Sequence, residues 1–182
     1  MILLTNKLPY RYTKTELDKL LDTLTVLVDT REQKNNHIIQ YLNEYDIPYK
    51  SKKLDFGDYS FMLPINEELG IMRDIYFNDQ IAIERKASLE ELSKNLAQNR
   101  QQFENELIRA NNATLILLVE DNNGYANILQ HNYNTKYNSK SYLASLMAFA
   151  CRYNIGIRFL GAKYSGNFIR WNFHYWLREY LK

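Results

Sequence analysis

A chain of 182 residues with 46% apolar and 24% charged side chains can bury one sizeable core, and is too short for two ordinary domains and a linker. A net charge of +2 excludes a strong overall attraction to nucleic acid, so any basic patch must be local. The one cysteine, Cys151, excludes an internal disulfide, and three scattered histidines give no zinc-ligand spacing, which predicts a reducing, intracellular, cytoplasmic setting.

The opening stretch Met1 to Lys7 has an apolar patch but neither the basic start nor the cleavage site of a secretion signal. No apolar run reaches the roughly 18 residues of a membrane span, so a soluble protein with no membrane contact is expected. Thr13-Lys14-Thr15-Glu16 has capping-box spacing, and Leu17, Leu20, Leu21 and Leu24 follow at helical intervals. Residues 1–24 are therefore read as a helical appendage docked on a main domain of residues 25–182.

Leu24 to Asp29 is apolar and β-branched without alternation, as in a strand buried on both faces. Asn36 to Tyr45 carries Ile38, Ile39, Leu42 and Tyr45 at helical spacing; extended stretches follow at Tyr49 to Leu54, Asp58 to Leu63 and Ile81 to Glu84. Ser88 and Glu91 open a helix whose stripe, Leu89, Leu92, Leu96, Phe103 and Leu107, predicts one continuous element to about Ala110. A strand at Leu115 to Val119 precedes an Asn- and Tyr-rich stretch up to Lys140, read as a polar surface loop without a site role. A helix over Lys140 to Tyr153 is expected to turn Leu143, Leu146, Met147, Ala150 and Cys151 inward, before a strand at Ile155 to Leu160 and a last helix from Phe168 to Leu181. These elements predict an α/β domain with a central mixed sheet flanked by helices.

Along a strand, residues two apart share a face, so Glu84 and Lys86 point together and Arg85 points away. A carboxylate and an ammonium beside a strand that offers Asp58 suit a hard cation and an attacking water. Phosphodiester hydrolysis needs that combination, because acids alone repel the substrate; a magnesium-type ion on Asp58 and Glu84 reverses the local sign, while Lys86 orients or deprotonates water. Asp29 and Glu32 flank Arg31, whose planar guanidinium suits a phosphate, and four converging carboxylates imply a cation.

Val28-Asp29-Thr30-Arg31-Glu32, Gly57-Asp58-Tyr59, Ile83-Glu84-Arg85-Lys86 and Leu96-Ala97-Gln98-Asn99-Arg100 together resemble the nuclease domain of the XPF family, within the restriction-endonuclease-like, PD-(D/E)XK superfamily. The gap between the acids is 84 − 58 = 26 residues. The resemblance implies a restriction-endonuclease-like fold and a DNA endonuclease dependent on Mg2+ or Mn2+. It implies catalytic roles for Asp29, Glu32, Asp58, Glu84 and Lys86, with Asp29, Asp58 and Glu84 on the metal and Arg31, Arg85 and Arg100 on DNA. Branched or flapped DNA, in repair, recombination or replication, is the implied substrate. Glu90 stands where the family has Asp, and as a helix-start acid it equally complements the helix dipole.

Lys50, Lys52 and Lys53 either track a phosphate backbone or solubilise an edge strand. No helix-hairpin-helix module follows in the sequence, and the last helix carries more aromatic surface, Phe168, Trp171, Phe173, Tyr175 and Trp176, than one stripe buries, so a homodimer through it is expected. A non-cleaving junction-binding scaffold, a Holliday-junction resolvase and an exonuclease stay open as alternatives. The Asn-, Ile- and Lys-leaning composition suggests a bacterial or viral source.

Overall fold

The non-alternating apolar runs assemble, in a computed structural model that describes residues 12–181, into a sheet covered on both faces. The expectation for Met1 to Lys7 lies outside those residues. Among them, β1 (Thr25–Val28), β2 (Tyr49–Ser51), β3 (Tyr59–Leu63), β4 (Ile75–Tyr76), β5 (Ile81–Lys86), β6 (Thr114–Glu120) and β7 (Gly156–Leu160) form a seven-stranded sheet. Its order is β2-β1-β3-β5-β6-β7, with β4 paired to β3 outside that path. β1 and β3 run antiparallel, as do β3 and β5, while the β1–β2, β5–β6 and β6–β7 pairs are parallel, so the sheet is mixed as expected.

The pleat sorts side chains between two cores. Val26, Tyr59, Ile81, Ile83 and Leu118 face a cluster with α1 (Lys14–Asp22), α2 (Asn36–Glu44) and α7 (Ser165–Tyr180). Ala82, Leu115, Leu117 and Val119 face a second cluster with α3 (Leu89–Leu96), α4 (Arg100–Arg109) and α6 (Ser139–Tyr153). Glu84 and Lys86 therefore open on the α3 and α4 side, and Arg85 on the α2 and α7 side.

The Thr13–Glu16 capping box is complete: Glu16 N–H donates to Thr13 Oγ1 at 3.3 Å, and Thr13 N–H to Glu16 Oε2 at 2.8 Å. Ser88 Oγ likewise accepts from Glu91 N–H at 3.3 Å, although the Glu91 carboxylate takes the N–H of Ala87 at 2.9 Å.

Three expectations are corrected. The helix predicted from Ser88 to Ala110 breaks between α3 and α4, where Asn99 N–H bonds Lys94 O at 2.9 Å; Leu96 and Phe103 still share one core, because a stripe reports burial and not backbone continuity. The stretch taken for a polar loop contains α5 (Gly124–Gln130), and buries Tyr133, whose Oη donates to Tyr137 O at 2.6 Å. A Cβ on Gly124 would lie 2.1 Å from the Phe159 ring, so glycine lets α5 approach β7. Along α6 the buried positions are Tyr142, Leu146 and Phe149, which leaves Met147 and Cys151 exposed.

Candidate active site

β1, β3 and β5 lie side by side, and their ends bring Asp29, Asp58, Glu84 and Lys86 into one region. Asp58 N–H donates to Ile83 O at 2.9 Å, and Asp58 Oδ2 accepts the N–H of Arg85 at 2.8 Å, which seats this acid against β5. Gly57 makes the approach feasible. Its φ is +71°, and a Cβ there would stand 2.7 Å from Ala82 Cβ. Gly57→Ala is expected to destabilise the protein by about 2 to 4 kcal/mol, from backbone strain plus overpacking, as read by the denaturation midpoint.

Glu84 and Lys86 are both buried, and the Lys86 ammonium donates to Glu84 Oε1. Glu84 Oε2 has no hydrogen-bond partner. Burial first, and then the charge of Glu106 on α4, push the Glu84 carboxyl up to about 7 against the pull of Lys86. Burial and the Glu84 charge likewise hold Asp58 well above the usual carboxylate range. Burial lowers the Lys86 ammonium, but Glu84 and Asp58 outweigh it and keep it above the usual lysine range. Its Nζ lies 5.1 Å from the centroid of the Phe103 ring.

Asp29 is differently employed. Its Oδ1 accepts from Arg31 N–H and Nε, each at 2.7 Å, and its Oδ2 from Leu54 N–H at 2.7 Å and Arg31 Nη2 at 2.9 Å. Burial raises its pKa, but these donors outweigh it and hold Asp29 below the usual carboxylate range. The Arg31 side chain remains 56% exposed.

Glu32 is turned toward Arg85, whose Nη2 donates to Glu32 Oε1 at 2.7 Å. The structure places Arg85 in the interior and Arg100 within hydrogen-bonding distance of Leu96 O and Ser145 Oγ, both 3.4 Å, with its guanidinium 4.5 Å from the Phe149 centroid. Glu90 accepts the N–H of Asn134 at 2.8 Å, which draws it to the segment after α5.

Two groups at the site carry no motif in the sequence. Glu106 Oε1 accepts Gly57 N–H at 3.3 Å, and Glu120 pairs with Arg85. The signal for Glu120 was its position, an acid closing the apolar run Leu115 to Val119; Glu106 had none beyond its helical face.

Among the described residues no set of three or more His, Cys, Asp and Glu side chains is disposed to hold a metal. Asp58 and Glu84 nevertheless fit a hard cation. Glu84 is buried with one unpartnered oxygen and Asp58 beside it is half-buried, and magnesium commonly takes one or two carboxylates and fills its shell with water and phosphate.

The sequence profile of the ERCC4 domain matches residues 28–170. The chain belongs to the ERCC4 domain family. The fold of this ERCC4 domain is similar to that of XPF from Aeropyrum pernix, with a TM-score of 0.60 and 21% identity over 85% of this chain and 65% of the other. A second structure, of XPF from Aeropyrum pernix in complex with DNA, matches with a TM-score of 0.59 and 20% identity over the same shares, 85% and 65%. The chain thus spans 65% of the length of these solved relatives. No curated protein matches it. Among the described residues no helix is long and apolar enough to cross a membrane.

Proposed function

We propose that this ERCC4 domain is a divalent-metal-dependent endonuclease acting on branched or flapped DNA in repair, recombination or replication. One observation carries the reading: Asp58, Glu84 and Lys86 meet on one face of the sheet, and Glu84 keeps a buried oxygen unpartnered. Asp58 and Glu84 would hold Mg2+ or Mn2+, which would supply positive charge at the phosphodiester and acidify a bound water. Lys86, kept protonated by its neighbours in the metal-free protein, is placed to donate to water or to a phosphate oxygen.

Arg31 is the phosphate contact in this reading, since its guanidinium is aimed by Asp29 and still largely exposed. Asp29 fixes Arg31, and the cation rests on Asp58 and Glu84, because every Asp29 oxygen accepts internal bonds. The relative described with DNA supports nucleic acid as substrate. A reducing, intracellular setting is part of the same reading, since Cys151 has no second cysteine to pair with.

Labelled flap, four-way, nicked and linear DNA, each with and without magnesium, test this. Magnesium-dependent cuts at the branch are expected. Shortening from ends would replace it with an exonuclease, and binding without cleavage on every substrate with a scaffold.

A homodimer through α7 belongs to the proposal. Trp171 and Tyr175 are 43% and 53% exposed, and they line an open apolar cavity of about 870 Å³ with Phe168, Ile116 and Leu160. Sedimentation at micromolar concentration is expected to give a dimer, and a monomer there removes it.

A further inference from the structure

The far side of β5 holds a second ionic arrangement, and its centre is Glu120. The Glu120 and Arg85 side chains are each 3% exposed. Donors from three elements converge on the Glu120 carboxylate: Arg85 Nη1 from β5 at 2.7 Å, His37 Nε2 from α2 at 2.7 Å, and Ser165 Oγ, the first residue of α7, at 2.6 Å. Burial raises the Glu120 carboxyl, but Ser165, His37 and Arg85 outweigh it and keep it ionised. The other arm of Arg85 holds Glu32 at 2.7 Å and the carbonyl of Lys34 at 2.9 Å.

For stability alone such a cluster has little to offer, because apolar residues of similar volume often do as well as a buried ion pair. Its effect is on position. Arg85 lies between Glu84 and Lys86, so anchoring its side chain on one face fixes how its two neighbours are presented on the other. Its backbone N–H also holds Asp58. Glu32 reaches Arg85 from the stretch after β1, whereas Glu120 reaches it from the adjoining strand, tied in turn to two helices.

We propose that Glu120 is a positioning residue for the acid site, a role that rests on the nuclease reading above: seated on α2 and α7 through His37 and Ser165, it anchors Arg85 and thereby aligns Asp58, Glu84 and Lys86. The full chain is compared with E120Q and S165A for DNA cleavage under saturating magnesium, for thermal unfolding, and for the amide signal of Arg85 in a nitrogen-proton correlation spectrum.

E120Q is expected to lower kcat about 30- to 100-fold, as misalignment does, with KM for DNA within about twofold. S165A, which removes one neutral donor, is expected to lower kcat about 3- to 10-fold with nearly unchanged unfolding temperature. In both variants the Arg85 amide signal moves, because its bond to Asp58 is altered. A variant that unfolds at lower temperature yet keeps wild-type kcat and an unmoved Arg85 amide signal shows a merely structural role and overturns the proposal. If E120Q does not fold, S165A decides by the same readings. If the wild type cleaves none of the DNAs, the nuclease reading fails, and the Arg85 amide in E120Q still decides whether Glu120 sets its geometry.

Discussion

Asp58→Asn and Glu84→Gln are each expected to lower magnesium-dependent cleavage by about 10³-fold or more, on the order of 4 kcal/mol of transition-state stabilisation, in a protein that stays folded. The amides keep shape and one oxygen acceptor but lose the charge that a cation requires. Asp58→Asn retains an acceptor for the N–H of Arg85, and Glu84→Gln retains one for the buried Lys86 ammonium. Alanine at 58 removes the first acceptor at a cost of about 1 to 3 kcal/mol. Alanine at 84 strands Lys86 in the interior, at a cost of about 3 to 5 kcal/mol, and confuses loss of chemistry with loss of stability. Because burial and the Glu84 charge disfavour ionised Asp58, Asp58→Asn leaves the metal-free protein as stable as the wild type or more so, whereas Glu84→Gln also removes the counter-charge of the buried Lys86 ammonium and is expected to be somewhat less stable. Single-turnover cleavage and a denaturation midpoint check the two halves. Wild-type cleavage by either variant removes Asp58 and Glu84 from the mechanism.

The chemistry of this site was legible where it depended on neighbours in the chain. The two-residue period of β5 puts Glu84 with Lys86 and sends Arg85 the other way, and Gly57 before Asp58 marks the tight approach of β3 to β5. Capping at Thr13 and Ser88 was equally local. What could not be read was any pairing set by strand order. Glu120 meets His37 and Arg85 across 83 and 35 residues of chain; the placement of β6 beside β5 brings Arg85 to it, and the packing of α2 on the sheet brings His37. The same limit applies to the bond of Asp29 with Leu54 and to that of Glu32 with Arg85, whereas the Asp29–Arg31 pair is local. The break at Ala97 to Asn99 stayed hidden because both half-helices feed one apolar stripe.

Cleavage at limiting magnesium is expected to rise about tenfold per pH unit below neutrality and to level off above about 7, the value to which burial and Glu106 push Glu84. A cation can use the Glu84 carboxylate only after its proton has left, so protons compete with metal through that range. Stability runs the opposite way. The folded Glu84 carboxyl stands above its unfolded value of 4.5, so the stability it contributes is complete below about 4.5 and is lost as pH rises through about 7. The metal-free protein should therefore melt at a lower temperature on the alkaline side of neutrality than in mild acid, as far as this group decides. Saturating magnesium should cancel the loss, because the ion then supplies the charge that the proton supplied. Glu84→Gln should weaken both trends together, leaving the part that the raised Asp58 carries. A pH–rate profile at limiting magnesium that is level from mild acid to neutrality, or an alkaline melting decrease as large in Glu84→Gln as in the wild type, would show that Glu84 is not the group that exchanges proton for metal.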